Sequence, residues 1–377
     1  MRENWTYKKL GEVGTFTSGY TPKASELSDS GVLPYFKVSD MNTRGNEVYM
    51  SITKQYLTAL QKSYPRGAIV FPKNGAAIGT NKKRILSQDS VVDLNTGVFI
   101  PNSEWDVRFA HLWFTCVDFK HHTRGGALPT LDIKGLKELN VPVPSIPEQE
   151  AIVKELDIIH VILDKKNEQL RELDNLAQAI FYDMFGDPTT NEKGWEVKKL
   201  GEVATIVGGS TPKTTEPANW VGNNAWVTPA ELKEEKYLFK TDRTISDEAA
   251  SHLELMPTGT VLLSSRAPIG KLAITRIPMY CNQGFKNVVC GDLLNNEFTY
   301  WYLLLNVPRL QEMGVGATFK EISKSAVQKF GIYLPPLPLQ QEFAKRIEAI
   351  ERQKELLRRS ITETETLLAA RMQYYFE

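Results

Sequence analysis

Cysteine is scarce in this sequence. Cys116, Cys281 and Cys290 are too few and too irregularly spaced for a disulfide framework or a zinc site. They read as buried or indifferent thiols in a reducing compartment. No run approaches 18 consecutive apolar residues, so no membrane-spanning helix is expected. Met1 to Lys9 has charge and aromatics where a secretory signal would have an apolar stretch, so no such signal is expected. A net charge of one sign is missing too. The 45 Lys and Arg balance 45 Asp and Glu, which argues against strong sequence-independent binding to nucleic acid.

The balance is not local. Residues 2–146 hold 18 Lys/Arg against 13 Asp/Glu, while residues 147–185 hold 4 against 9. Residues 195–337 carry 15 against 14, and residues 338–377 carry 7 against 7. A basic first domain is thus followed by an acidic stretch and a near-neutral second half. Such a chain would bind DNA weakly alone, unless a partner added phosphate contacts.

What the sequence has in abundance is self-similarity. Trp5 opens Lys8-Lys9-Leu10-Gly11-Glu12-Val13, and Trp195 opens Lys198-Lys199-Leu200-Gly201-Glu202-Val203. Gly19-Tyr20-Thr21-Pro22-Lys23 answers Gly209-Ser210-Thr211-Pro212-Lys213. Further on, Ala77-Ile78-Gly79 falls against Pro268-Ile269-Gly270, and Asn95-Thr96-Gly97 against Asn282-Gln283-Gly284. Asp132-Ile133-Lys134 meets Glu321-Ile322-Ser323, and Pro144, Pro147 and Gln149 meet Pro335, Pro338 and Gln340. The order is kept throughout, so the chain is two copies of one unit.

Each copy opens with short apolar runs broken by Gly, Pro, Asn and Ser. Ala68–Phe71, Val91–Leu94, Val98–Ile100 and Thr260–Leu263 read as strands, and Phe109–Val117 and Phe298–Leu305 as short buried helices. The fold class is α+β: two similar mixed domains at 1–146 and 195–337. A proline-rich turn then leads into a stretch free of proline and glycine, 148–185 and 339–376. In the first stretch Ile152, Leu156, Ile159, Leu163, Leu170 and Leu173 recur at steps of three and four, with Lys166 in one gap. In the second Phe343, Ile347, Ile350, Leu357, Ile361 and Leu368 keep that rhythm, with Lys354, Thr364 and Arg371 in the gaps. This spacing predicts two long helices, 147–185 and 338–377, paired as an antiparallel coiled coil rather than laid on a globular core. Gly186-Asp187-Pro188 stops the first helix, and 186–194 is a linker. At 1.5 Å per residue, a helix of this length spans roughly 57 Å. It would act as a ruler between two pseudo-twofold-related domains.

On these motifs the chain resembles the specificity (S) subunits of type I restriction-modification systems, over essentially its whole length. The resemblance rests on the twice-used Trp…Lys-Lys-Leu-Gly-Glu-Val with Gly-x-Thr-Pro-Lys. It rests as well on Gly316-Ala317-Thr318-Phe319-Lys320-Glu321-Ile322-Ser323-Lys324 leading to Leu334-Pro335-Pro336-Leu337, and on the helix starts at Gln149 and Gln340-Gln341. It implies two target-recognition domains reading a split sequence on double-stranded DNA, with the paired helices fixing the spacer. It also implies docking of two methyltransferase (modification) subunits and of restriction/translocase subunits, in a bacterial or archaeal cytoplasm. S-adenosylmethionine, ATP and magnesium would belong to those partners, with no cofactor in this chain. Gly125-Gly126-Ala127-Leu128-Pro129 lacks the second copy's Thr-Phe-Lys, so the two domains should read different half-sites.

The residues themselves offer no catalytic set. An Asn/Asp-Pro-Pro-aromatic tetrad and a glycine-rich cofactor loop are both absent, and Gly270-Lys271 lacks the rest of a P-loop. Glu231-Leu232-Lys233 has nuclease-like spacing without a preceding aspartate partner, and His121-His122 lacks companion ligands. The DNA-binding candidates lie in loops, where Lys and Arg neutralise phosphate and Asn or Arg reads base edges. In the first domain they are Thr80, Asn81, Lys82, Lys83 and Arg84, then His122 and Arg124, with Arg44 in the Ser39–Arg44 loop. In the second they are Ser265, Arg266, Lys271, Lys286 and Lys320, with Asn223–Thr228 as a further loop. Replacing Lys82, Lys83 and Arg84 together by alanine should weaken DNA binding at only a surface-like cost in stability. Trp113 and Trp301 read as core. Two rival readings are a repeat adaptor that binds protein instead of DNA, and a restriction or methylation enzyme whose catalytic residues escape detection.

Overall fold

The computed structural model describes residues 5–60, 62–233, 235–266, 268–316 and 320–376. Ala317-Thr318-Phe319 of the quoted motif, and Met1 to Asn4 of the charged opening, lie outside the described residues. The chain divides into two compact units. One runs to Lys166 and takes in the segment from Ser360; the other is Asn167–Arg359.

In the first unit, strand Thr6–Lys9 pairs antiparallel with Asn140–Val143, closing the start of the domain onto its exit. The central sheet has five strands in the order Gly14–Ser18, Thr96–Pro101, Ile69–Pro72, Arg84–Leu86, Tyr49–Met50. A four-stranded sheet and the hairpin Thr123–Arg124/Thr130–Leu131 complete it. The second unit repeats this plan. Val197–Lys199 pairs with Gly331–Tyr333, and its five strands follow the order Ala204–Gly208, Lys286–Cys290, Val261–Leu263, Leu272–Thr275, Tyr237–Leu238. Its minor sheet has three strands, so the copies diverge there.

The duplicated motifs have backbone causes. A Cβ on Gly19 would lie 2.0 Å from the Asp93 carbonyl, and one on Gly209 2.1 Å from the Cys281 carbonyl. Only glycine lets this strand end approach its neighbour. The expected short helices form as Val107–Cys116 and Asn296–Leu305. Each is N-capped: Asp106 accepts from the amides of Arg108 and Phe109, and Asn295 from those of Glu297 and Phe298. Trp113 and Trp301 are core residues, as expected.

The long helices are Ile146–Phe185 and Leu337–Phe376, within a residue of the expected starts. A fully buried glutamine fastens each to its own domain. Gln149 accepts from the Asp106 amide (2.7 Å) and donates to the Glu104 and Pro144 carbonyls (both 2.8 Å). Gln340 accepts from the Asn295 amide (2.8 Å) and donates to Leu293 (3.1 Å) and Pro335 (2.8 Å).

The helices pair antiparallel within each unit. In the first, Glu155 takes the Arg371 guanidinium (2.8 Å) and the Tyr375 hydroxyl (2.7 Å), and Lys166 donates to Ser360 and Thr364 (2.6 Å to the latter hydroxyl). In the second, Lys354 reaches Asp174 at 2.6 Å, and Phe181 packs on Phe343 with ring centroids 5.6 Å apart. The polar residues in the apolar rhythm are therefore interhelical contacts. Ile152, Leu156, Ile159, Phe343, Ile347, Ile350 and Ile361 are buried, and Leu163, Leu170, Leu173, Leu357 and Leu368 half-buried. One expectation needs correction. Ile152 and Leu156 share a core with Trp105 and Phe109, and Phe343 and Ile347 one with Phe298 and Trp301. The N-terminal part of each helix therefore packs on a globular domain as well as on its partner helix.

Candidate nucleic-acid interface

In the first unit two loop segments run side by side. The Gly75 amide donates to the Pro129 carbonyl (2.8 Å), the Leu131 amide to Lys73 (2.9 Å), and Asn74 bridges Thr130. This fixes the turn Ala76–Thr80 against the hairpin 123–131. Backbone held this way can carry contact side chains in a defined register. Thr80 is exposed, with its hydroxyl donating to the Ala77 carbonyl at 2.7 Å. Lys82 is half-buried and donates to the Asn42 side chain of the neighbouring turn, beyond which Arg44 is exposed. Arg124 is 63% exposed and paired with Asp132 at 2.8 Å. His122 is half-buried, and its carbonyl accepts from the Asp132 amide at 2.7 Å. The Asp132 carboxyl is held below its usual range, chiefly by the Gly135 amide and then by Arg124.

Three of the first unit's candidates point inward. Lys83 is 1% exposed; its ammonium donates to Asn81 Oδ1 and the Val117 carbonyl (both 2.6 Å) and lies 4.1 Å from the centre of the Phe119 ring. Burial lowers its pKa to about 7. Arg84 is half-buried against the Lys83 and Met41 carbonyls (2.8 and 3.3 Å), and burial lowers its pKa as well. Asn81 is spent on Lys83 and on the Phe119 amide (2.9 Å). Because their polar atoms are turned into the protein, Lys83, Arg84 and Asn81 are withdrawn as direct contacts. The sequence reading missed Lys73 and Lys120, which lie on these same segments, Lys120 exposed. The signal available in the sequence was the place of Lys120 two residues after Asp118, whose side chain caps the turn by accepting from the Lys120 amide.

The second unit builds the same pair of segments with different charge. Arg266 and Glu321 bridge through their backbones, and their side chains pair at 3.0 Å. Lys286 also reaches Glu321, at 3.4 Å. Lys320 is exposed, and Lys271 donates to the Pro229 carbonyl at 3.3 Å. Ser265 is fully buried, its amide and carbonyl both used in backbone pairing, so it too is withdrawn. Asn223–Thr228 is largely strand Asn224–Val227, with Trp226 and Val227 buried, not an open loop. Glu231 caps its own turn, accepting from the Thr228 and Asp242 amides (2.8 and 2.7 Å). Among the described residues no three His, Cys, Asp or Glu gather as metal ligands.

The bridges also correct two alignments. Thr130 and Glu321 occupy the same place, as do the N-caps Asp132 and Ser323, two residues later than the motif pairing of Asp132 with Glu321. Ile85 opposes Ile69 and Ile274 opposes Val261, which equates Asn81 (φ 53°) with Gly270 (φ 94°). The first unit therefore has three extra residues in this turn, and Gly79 has no direct counterpart.

Paired loops of one design, carried twice on one scaffold, define a duplicated recognition protein. The family described as "Type I restriction modification DNA specificity domain" matches residues 2–174 and again residues 192–366, and the chain belongs to that family. It is 35% identical over 158 residues to the Type I restriction enzyme MjaIX specificity subunit of Methanocaldococcus jannaschii, a stretch covering 40% of this chain and 37% of that protein. It is 22% identical over 392 residues to the MjaVIII specificity subunit of that organism, covering 95% of this chain and 88% of the relative. Among solved structures, a chain from a study of complex assembly and conformational transition of the type I R-M system matches with TM-score 0.66. That match has 20% identity and covers 100% of this chain and 98% of that one. The S subunit from M. genitalium matches with TM-score 0.58 and 14% identity, over 99% and 96%. These two likenesses show the shared fold.

Proposed function

We propose that this chain is the DNA-reading subunit of a type I restriction-modification complex. Each unit reads one half of a bipartite target through its paired loops, and the helix pair sets the spacer. One observation carries the reading: the turn-plus-hairpin arrangement recurs in both units with the same backbone pairing and different side chains. Recurrence of the scaffold with divergence of the exposed residues is what two readers of different sequences require. Lys82, Lys120 and Arg124 in the first unit, and Lys320 with Arg266 in the second, position phosphate and base edges.

Catalysis belongs to other subunits in this reading. Two modification subunits dock on the chain, and restriction/translocase subunits join through them. S-adenosylmethionine, ATP and magnesium are bound by those partners. Gel shift on duplex DNA, with the chain alone and with a co-purified modification subunit, tests this. Salt-sensitive retention that strengthens with the partner is expected. Indifference to DNA in both cases would favour the protein-binding adaptor.

A further inference from the structure

The turn and the hairpin of the first unit meet at one buried side chain. Lys83 stands on the strand side, yet its ammonium crosses to the Val117 carbonyl, just before the segment that carries Lys120 and Arg124. It also holds Asn81 Oδ1, the atom that receives the Phe119 amide (2.9 Å), and it rests on the Phe119 ring. Asn81 itself takes the left-handed conformation, unusual for a residue with a side chain. Three contacts thus converge on the base of the hairpin from residues of the turn.

Packing alone does not demand a lysine here. The equivalent residue in the second unit is Leu272, 7% exposed in the core, after Gly270 in place of Asn81. Burying an ammonium carries a desolvation penalty that a leucine avoids. What the lysine adds is reach, with donors aimed at a neighbouring segment.

We infer that Lys83 is a positioning residue for the first recognition surface, stapling the 117–124 segment to the 76–82 turn so that Lys82, Lys120 and Arg124 form one fixed array. The inference rests on the DNA-reading assignment above. The second unit fixes its Arg266 and Lys286 through Glu321 and needs no such staple.

The test copies the second unit's solution into the first, as Lys83→Leu in the full chain, with Lys83→Met as a second variant should leucine fold poorly. Amide exchange, melting temperature and DNA binding are measured, the last with a co-purified modification subunit on the duplex that methylation sequencing identifies. The Phe119 amide should exchange faster while the melting temperature holds or rises. Affinity should fall roughly tenfold, the scale of one lost base contact, and discrimination at one half-site should relax while the other is kept. Wild-type affinity and discrimination in a folded variant would overturn the staple, as would equal losses at both half-sites. A wild-type chain that binds no duplex, with or without its partner, would overturn the DNA-reading assignment and this inference with it.

Discussion

At one turn the first unit uses Asn81, Lys82 and Lys83, and the second uses Gly270, Lys271 and Leu272. The strands that follow keep the same register. At the facing hairpin, Thr130 stands where the second unit has Glu321, which neutralises Arg266 and Lys286. Nothing comparable varies where the long helices begin, for Gln149 and Gln340 make the same three kinds of hydrogen bond. The difference teaches where each unit is free to change. The buried glutamines that anchor the helices are held in common, and the residues around the paired loops, the buried Lys83 included, are replaced.

The largest predicted effect breaks the first unit's turn. Lys82, Lys83 and Arg84 replaced together by alanine, expected from sequence to be a surface change, should instead cost about 3 kcal/mol or more in denaturant unfolding. Two of the three side chains fill interior space and hold carbonyls, so a cost under about 1 kcal/mol would refute their buried roles. Gln149→Ala and Gln340→Ala should each cost about 2 kcal/mol by leaving buried backbone groups unpaired. The two penalties should agree to within about 1 kcal/mol; a wide gap would show that the helix anchors are not equivalent.

A pH series sharpens the contrast at Lys83. Its pKa is lowered from the ordinary 10.5 to about 7 by burial, partly offset by Asp118 and Cys116, with His111 and Arg84 nearby. Between those values the unfolded chain holds a proton that the folded chain lacks, so stability rises with pH in that window. The stability of wild type relative to Lys83→Leu should therefore climb by about 1 kcal/mol per pH unit above pH 7 and stay flat below it. A difference independent of pH would mean the side chain titrates normally. The smallest effect concerns the second unit. Glu321→Gln frees Arg266 and Lys286, so DNA affinity should rise a few-fold at low salt and its salt dependence steepen by about one unit of slope. An unchanged slope would place that loop pair away from phosphate.

Much of this was legible in the sequence. The repeat, the strands at 69–72 and 261–263 and both long helices followed from apolar spacing and from proline and glycine punctuation. Gly19 and Gly209 stood out as motif residues because a backbone approach forbids any side chain there. The interface was harder to read, for a physical reason. Lys82, Lys83 and Arg84 look alike as a cationic run, yet Lys83 and Arg84 turn inward onto carbonyls, and whether an amine meets phosphate or a carbonyl depends on a segment 34 residues away. Glu321 stood in the sequence as a motif residue, but its role in neutralising two cations lies in pairing across two loops, not in local composition.

The central claim is that two readers of one design act separately on one target. Methylation sequencing of a host carrying the intact system, with the exposed hairpin tip 124–129 replaced by another loop, tests it most directly. One half of a bipartite motif should change or degenerate while the other half and the spacer persist. A continuous motif, or simultaneous change in both halves, would contradict it.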